Sequence, residues 1–171
     1  MNKKICAILL SSLMAVSMVG CGNKADKVEN GNGQNVESPA DVTPSVSAKE
    51  VVDAVVAGNF ISMPAQVNDD MAKDMYGLNL ENIEEYAIAE TQMSASMGLI
   101  IVAKAKEGKV DDVKANIEAF RTSRLEGFNY PTQADAYEKS KVEVAGNIVY
   151  YSIFAEEVEA DAQKTIADML K

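Results

Sequence analysis

The sequence contains no histidine and no tryptophan, and its only two cysteines are Cys6 and Cys21. Without histidine, the chain cannot build the Ser–His and Cys–His nucleophile systems of many hydrolases or the common zinc sites. Because both cysteines lie within the first 21 residues, the rest of the chain has no thiol for a disulfide, a cysteine-based metal cage or a nucleophile. Several large enzyme classes are therefore excluded.

Positive charge is also scarce. Of 171 residues, 16 are basic and 26 acidic, which gives a formal net charge of −10. Such a surface repels phosphate backbones and no basic stripe offsets it, so we expect no nucleic-acid partner. A phosphate-binding glycine loop is missing as well, because Gly31 and Gly33 precede no strand or helix pattern. The length allows one domain with a substantial core.

The N-terminus has the pattern of an export signal. Lys3 and Lys4 precede an apolar run over residues 5–16, which is shorter than the ~20 residues of a membrane span. The run leads to Met-Val-Gly-Cys at residues 18–21, which is typical of a lipobox. We expect residues 1–20 to be removed by cleavage between Gly20 and Cys21, and Cys21 to carry the lipid. The alternative is an ordinary cleaved signal in which Cys21 is incidental.

A lipid-bearing Cys21 predicts a protein anchored in the cell membrane at its extracytoplasmic face, because two acyl chains suffice for stable anchoring. Residues 22–46 are rich in Gly, Asn, Ser, Pro and Asp. Such a segment cannot bury enough apolar surface to offset its ordering entropy, so residues 21–46 are predicted to form a flexible tether. A coil of this length spans roughly 25–30 Å. A single folded domain is expected over residues 47–171.

The apolar periodicity within this domain predicts alternating helices and strands. The predicted helices cover residues 47–58, 70–76 and 109–128, with a fourth beginning at Val158, and the predicted strands cover residues 83–91, 98–105, 142–145 and 148–154. Asn-Tyr-Pro at residues 129–131 is expected to end the long helix and to lead into a polar loop. The order α-α-β-β-α-β-β-α indicates an α+β fold, with a small antiparallel sheet of about four strands and helices on one sheet face.

Several of these segments resemble a known group of proteins. The features are Tyr76-Gly77, Glu85-Tyr86, GLIIVAKAKEG from Gly98, Arg121 and Arg124 on the long helix, Asn129-Tyr130-Pro131, Tyr137, and VEVAGNIVYYSI from Val142. Over residues 84–159 the chain is similar to an uncharacterised lipoprotein family of clostridia-like Gram-positive bacteria, whose C-terminal domain has no known function. The resemblance implies the fold and the compartment. It implies no activity.

Paired carboxylates are the main candidates for catalysis in a chain without histidine. The candidate pairs are Glu84/Glu85, Asp111/Asp112 and Glu156/Glu157. Neighbouring acids point to different faces of a helix or strand, so we interpret each pair as solvated surface rather than as a glycosidase pair. Ser140 and Lys141 are direct neighbours and lack the Ser-x-x-Lys spacing of a catalytic dyad.

Methionine and tyrosine provide the candidates for binding. Met71/Met75 and Met93/Met97 are each spaced by four residues. Core filling is the favoured interpretation of these methionines; an adaptable partner surface and a thioether site for Cu(I) are the alternatives. Tyr130, Tyr137, Met93 and Met97 are the residues considered for a partner surface, although the favoured interpretation of the tyrosines near Asn-Tyr-Pro is that they lock the loop. Of the neighbouring Tyr150 and Tyr151, one is expected in the core.

Arg121 and Arg124 interrupt the apolar stripe of the long helix. We expect them to pair with sheet acids such as Glu90 or Glu143, although an anionic ligand would also suit them.

The sequence therefore predicts a membrane-anchored, non-enzymatic interaction or ligand-binding module of the cell envelope. It predicts no catalytic residue, cofactor or resident metal, and the expected partner is a protein, a peptide or a cell-wall ligand. The first alternative is an enzyme or enzyme-accessory module that acts on wall material through carboxylates. The second is a methionine-based metal carrier.

Overall fold

A computed structural model describes residues 44–127 and 131–171, with only the backbone described at residues 131 and 132. The predicted signal peptide, Cys21 with its cleavage site, residues 22–43 of the predicted tether, Phe128 and Tyr130 lie outside these residues. Pro44 is buried and Val46 packs against the core. The folded domain therefore includes residues that the sequence pattern assigned to the tether.

The described residues form five α-helices, one 3-10 turn and five strands. In chain order they are α1 (Ala48–Ala57), β1 (Pro64–Gln66), α2 (Asp69–Asp74), the 3-10 turn (Leu80–Asn82), β2 (Ile83–Thr91), β3 (Gly98–Ala105), α3 (Val110–Gly127), α4 (Pro131–Lys139), β4 (Val142–Ala145), β5 (Ile148–Phe154) and α5 (Glu156–Met169). The predicted α+β class is confirmed.

Helix α1 begins with a capping box formed by Ser47 and Glu50. The backbone N–H of Glu50 donates to Ser47 Oγ (3.2 Å), and the backbone N–H of Ser47 donates to the Glu50 carboxylate (2.9 Å). These two bonds satisfy N–H groups that would otherwise lack partners at the helix start. The Glu50 carboxylate accepts from the backbone N–H of Ser47 and from its hydroxyl, and these two hydrogen bonds lower the pKa of Glu50.

All neighbouring strands are antiparallel, and their order in the sheet is β1-β2-β3-β5-β4. The predicted antiparallel sheet is confirmed: β2 and β3 form one hairpin and β4 and β5 another. Strand β3 lies at the centre, as its uninterrupted apolar sequence indicates. Gly146 (φ +58°) takes the first corner of the turn between β4 and β5. A positive φ at this position, followed by Asn147, is the geometry of a two-residue hairpin.

The core has two parts, one on each face of the sheet. Helix α3 contributes Val113, Ile117 and Phe120 to the first part, which contains Leu99, Ile101, Val149 and Tyr151 of the central strands. The second part combines Val51 and Val55 of α1, Ala162 and Ile166 of α5, and the alternate strand residues Ile100, Val102, Ile148 and Phe154. The prediction of helices on one sheet face is wrong, because β3 is buried on both faces and needs cover on both.

Two further elements were missed from the sequence. Residues 131–139 form α4 instead of a polar loop. Pro131 is the first residue of this helix, a position at which the missing N–H costs nothing. Strand β1 (Pro-Ala-Gln) is a short, proline-bearing edge strand, and it brings the sheet to five strands instead of about four.

Among the described residues, no helix combines the length and apolar character needed to cross a membrane.

Candidate functional site

A cleft of about 610 Å³ lies between α4, the β4–β5 hairpin and the start of α5. We call it the α4–α5 cleft. Its lining combines apolar, hydroxyl, carboxylate and ammonium side chains: Met97, Asp135, Ala136, Lys139, Ser140, Lys141, Glu143, Tyr150, Ser152, Ile153, Phe154, Glu156, Glu159 and Gln163. Four of these residues are acidic and two are lysines. The cleft is therefore acidic around a partly apolar surface.

The α5 side of the cleft is fixed by a chain of hydrogen bonds. Gln163 Nε2 donates to Ser152 Oγ (3.0 Å) and to the Glu159 carboxylate (2.8 Å). The backbone N–H of Phe154 donates to the same carboxylate (2.9 Å). Since β4 pairs with β5 only as far as Tyr151, Glu159 supplies the acceptor that the end of β5 lacks. This network holds α5 against β5 and sets the shape of the cleft.

Tyr150 and Glu143 form the β-hairpin side of the cleft. The Tyr150 hydroxyl donates to the Glu143 carboxylate (2.6 Å) across the antiparallel pair β4–β5. Burial, followed by this hydrogen bond, raises the pKa of Tyr150. The hydroxyl therefore stays protonated at neutral pH and can donate a hydrogen bond but not act as a base.

A second, smaller pocket of about 100 Å³ lies on the other side of α4. Met93, Met97 and Tyr137, three of the four residues predicted to form a partner surface, all border it. Tyr137 is buried, whereas Met93 is 45% exposed and Met97 is half-buried. The structure thus brings the three side chains to one pocket, but Tyr137 belongs to the core rather than to the surface.

Gln133 also borders this small pocket. Its side chain is 6% exposed, and within the described part of the chain its carbonyl oxygen has no hydrogen-bond partner. A buried amide oxygen without a donor is costly, so it marks a place that a water molecule or a ligand group with a donor would stabilise.

The comparisons with known proteins bear on the whole sheet. The sequence profile of a domain of unknown function (DUF4358) matches residues 58–154, which is more than half of the chain. The chain belongs to this family. The matched segment contains all five strands, α2, α3 and α4, but neither α1 nor α5. No curated protein and no solved structure matches the chain. The uncharacterised domain that the resemblance implied is confirmed by this match.

Arg124 pairs with Glu90, as one of the two interpretations of the sequence predicts. Its Nη2 lies 2.9 and 3.1 Å from the two carboxylate oxygens of Glu90, and its guanidinium lies 5.1 Å from the centre of the Phe120 ring. The Tyr76 hydroxyl donates to the same carboxylate. This cluster ties α3 and the end of α2 to β2.

Arg121 has a different set of partners. It donates to the backbone carbonyl of Glu138 (2.9 Å) and to Ser140 Oγ (3.4 Å), and it lies 3.6 Å from Glu118 of its own helix. The predicted pairing with a sheet acid is therefore wrong for Arg121, which connects α3 to the end of α4. Glu143, the other sheet acid considered, bonds with Tyr150 instead.

The adjacent carboxylate pairs lie mostly in solvent. Glu84, Asp111, Asp112, Glu156 and Glu157 are exposed. Glu85 is half-buried and accepts a hydrogen bond from the backbone N–H of Ala48 (3.0 Å), which is a role in anchoring α1. The described residues contain no group of three or more acidic side chains placed to hold a metal ion.

Ser140 has a structural role as well. Its hydroxyl donates to the Tyr137 carbonyl (2.6 Å) and lies 3.0 Å from the Tyr151 hydroxyl. Lys141, its neighbour, is exposed. Tyr151 is fully buried and Tyr150 is half-buried, which confirms that one of the two tyrosines belongs to the core.

The favoured core interpretation is wrong for Met75 and Met93, and Met63 is exposed as well. Met63, Met75 and Met93 are 63%, 55% and 45% exposed, while Met71 and Met97 are half-buried. The predicted inward position of Met75 fails because α2 ends at Asp74, and the buried aromatic side chain that follows is Tyr76.

Sequence reasoning missed Ser152 and Gln163 as members of the cleft. Ser152 is the one aliphatic hydroxyl residue in the strand Ile-Val-Tyr-Tyr-Ser-Ile-Phe. A polar residue in such a strand needs a buried partner, so this position was the available signal. Its partner on α5 is set by helix packing and could not be read from the sequence.

Proposed function

We propose that this protein is a membrane-anchored, extracytoplasmic lipoprotein whose domain is a non-enzymatic ligand-binding module of the cell envelope, and that the α4–α5 cleft is its binding site. The lipobox pattern at residues 18–21 supports the anchor. The cleft carries the binding function, because its volume of about 610 Å³ lies within the range of ~300–1,000 Å³ that is common for ligand sites.

The lining of the cleft favours a positively charged ligand with an apolar part. Asp135, Glu143, Glu156 and Glu159 outnumber the two lysines, and the whole chain is acidic. Met97, Ile153 and Phe154 provide apolar contact in the same cleft. A peptide segment that carries basic and aromatic or aliphatic side chains meets both requirements, since rim charges steer the partner and apolar contacts hold it.

The carboxylates of the cleft serve as hydrogen-bond acceptors within the fold. Glu143 accepts from Tyr150, and Glu159 accepts from both Gln163 and the backbone of Phe154. A carboxylate held in this way is suited to shaping a site. The second candidate, an enzyme or accessory module acting on wall glycans, is favoured by the presence of four acids in one cleft.

Charge reversal tests the proposal. Asp135 and Glu156 are exposed acids of the cleft, and Glu107 and Glu126 are exposed acids that do not line it. Asp135→Lys/Glu156→Lys and the control Glu107→Lys/Glu126→Lys therefore change the net charge equally. Binding of a synthetic Lys-Tyr-Lys-Leu-Lys-Tyr peptide and of its Glu-for-Lys counterpart is measured by fluorescence anisotropy on the full chain in detergent.

We expect the basic peptide to bind wild type and the control alike, and the cleft variant at least about tenfold more weakly. Equal weakening in both variants would show a general charge effect and would contradict a site in the cleft, as would failure of the basic peptide to bind wild type. Release of reducing ends from purified peptidoglycan, abolished in the cleft variant, would establish the enzyme alternative instead.

A further inference from the structure

Three methionines lie at one end of the sheet, where the chain enters β1 and where it turns from β2 into β3. They are Met63, Met93 and Met97, and we call them the methionine corner. Pro64 pairs with Thr91 at the end of the β1–β2 ladder. Met63 and Gln92 are the next residues outward on the two strands, and Met93 follows directly.

Backbone and hydroxyl hydrogen bonds hold Met63 beside Met93. The N–H of Gln92 donates to the Met63 carbonyl (3.1 Å). The Thr91 hydroxyl donates to the Ser62 carbonyl (2.6 Å) and accepts from the Met93 N–H (3.2 Å). Two of these bonds therefore join the two short segments that carry these methionines, and the third fixes Met93 to Thr91 within its own segment.

The turn between β2 and β3 brings Met97 close to Met93. The Ser96 N–H donates to the Met93 carbonyl (3.0 Å), and Met93 and Met97 border the same small pocket. Gly98 passes so close to Ile61 that an added Cβ would lie 3.1 Å from the Ile61 side chain. The β3 entry is thus packed against the segment that leads to Met63.

Met97 packs against the core on the α3 side of the sheet, but core packing does not explain Met63 or Met93. Met63 is 63% exposed and Met93 is 45% exposed. Met63 also has φ +48°, a left-handed conformation that Gly or Asn adopts more readily. Neither burial nor backbone geometry favours methionine at this position, and the exposed thioethers of Met63 and Met93 are accessible to a ligand.

We propose that the methionine corner binds a soft monovalent cation, Cu(I) or its analogue Ag(I), through the three thioether sulfurs. Thioethers are soft ligands that favour Cu(I), whereas Mg²⁺ and Ca²⁺ need oxygen ligands. The chain has no histidine and no cysteine after Cys21, so methionine is the soft ligand available to its domain. Glu90 is an acid that borders the same small pocket, but its carboxylate is paired with Arg124. The thioether sulfurs are therefore the proposed metal ligands.

Silver titration of methyl-labelled methionine tests the site directly. The full chain carries Cys6→Ser and Cys21→Ser so that no thiol competes, and it is labelled with [methyl-¹³C]methionine. AgNO₃ is added while the ¹³C–¹H spectrum is recorded, and Cu(I) affinity is measured by competition with bathocuproine disulfonate. Met→Leu substitutions preserve volume, and Met75→Leu is the matched control because Met75 is also exposed (55%).

We expect one Ag(I) per chain to shift the methyl signals of Met63, Met93 and Met97 and to leave that of Met75 in place. Each single Met→Leu in the corner should weaken Cu(I) binding at least about tenfold, the triple variant should abolish it, and Met75→Leu should keep it within about twofold. Absence of binding, equal shifts at Met75, or full affinity in the triple variant would overturn the proposal.

The methionine corner shares Met97 with the α4–α5 cleft, whereas Met63 and Met93 do not line the cleft. Asp135→Lys/Glu156→Lys should leave silver binding unchanged, since neither residue belongs to the corner. If this variant loses peptide binding but keeps Ag(I) binding, the result tests only the proposed peptide site in the cleft. If a variant of the corner loses Ag(I) binding but keeps peptide binding, the result tests only the proposed metal site. Matching thermal transitions of the Leu variants and wild type exclude misfolding as the cause.

Discussion

Phe120 is the residue whose truncation tests the packing of α3 most directly. Its side chain is 4% exposed. The ring lies 5.0 Å from that of Tyr76 and 6.4 Å from that of Tyr151, measured between centroids, and it supports the Arg124 guanidinium. Phe120→Ala therefore removes the contact that joins α3 to both the sheet and the segment after α2.

The expected cost follows from burial. Replacing a buried Phe by Ala destabilises a protein by about 3–5 kcal/mol, because the transfer energy is lost and a cavity remains. A domain of this size has a free energy of unfolding of about 5–15 kcal/mol. At roughly 3–5 °C per kcal/mol, the melting temperature should fall by about 10–20 °C.

Thermal unfolding monitored by circular dichroism provides the assay, with urea unfolding as a second measure of the free energy. Lys114→Ala is the control, because Lys114 is an exposed residue of the same helix; its effect should stay within about 0.5 kcal/mol. Equal, small effects of both substitutions would mean that α3 does not cover the sheet, and the described core would be wrong.

Two further predictions concern the N-terminus and the response to alkali. Cys21→Ser should leave an uncleaved precursor without lipid, as followed by gel mobility and radiolabelled palmitate; processing and labelling equal to wild type would refute the lipoprotein. Burial and then a hydrogen bond to Asp69 raise the pKa of Tyr86 from 10.0 to about 12. Because the unfolded tyrosine ionises first, this stabilisation is complete below about pH 10 and is lost as the pH rises towards 12. The free energy of unfolding, measured with urea, should therefore fall less between about pH 9 and pH 11.5 in Tyr86→Phe than in wild type. An equal fall in both proteins would count against burial and the Asp69 hydrogen bond as the cause.

The apolar periodicity of the sequence predicted the helices that bury one continuous apolar stripe and the strands whose apolar and polar residues alternate. The long helix extends over Val110–Gly127, close to the predicted 109–128, because its apolar residues recur on one face over five turns. The hairpin around Gly146 was equally readable, since a glycine turn between two β-rich runs fixes both strands.

Local patterns did not reveal which sheet face each helix covers. Helices α1 and α3 each bury an apolar stripe, yet they pack on opposite faces. The continuous apolar run of β3 already required two covered faces, so this part of the architecture could have been inferred. Helix α4 was hidden because Pro131 is compatible both with the end of one helix and with the start of the next.

The candidate sites were less predictable than the fold. Met93, Met97 and Tyr137 were singled out by residue type, and they do meet at one pocket. The α4–α5 cleft combines residues from α4, both strands of the last hairpin and α5, and their meeting depends on the packing of elements distant in sequence. Exposure of Met63 likewise depends on the backbone conformation before β1, which the sequence pattern does not determine.

The cover that α1 and α5 give to one sheet face makes the folding unit larger than the family segment. Residues 58–154 alone would leave Ile100, Val102 and Ile148 on a bare apolar surface, and such surfaces drive association between chains. A protein that carries this segment therefore needs other residues to bury this sheet face, either from flanking helices of its own or from the surface of another chain. The segment that matches the family is thus not sufficient for a soluble monomer. A fragment of residues 58–154 should be recovered as aggregates.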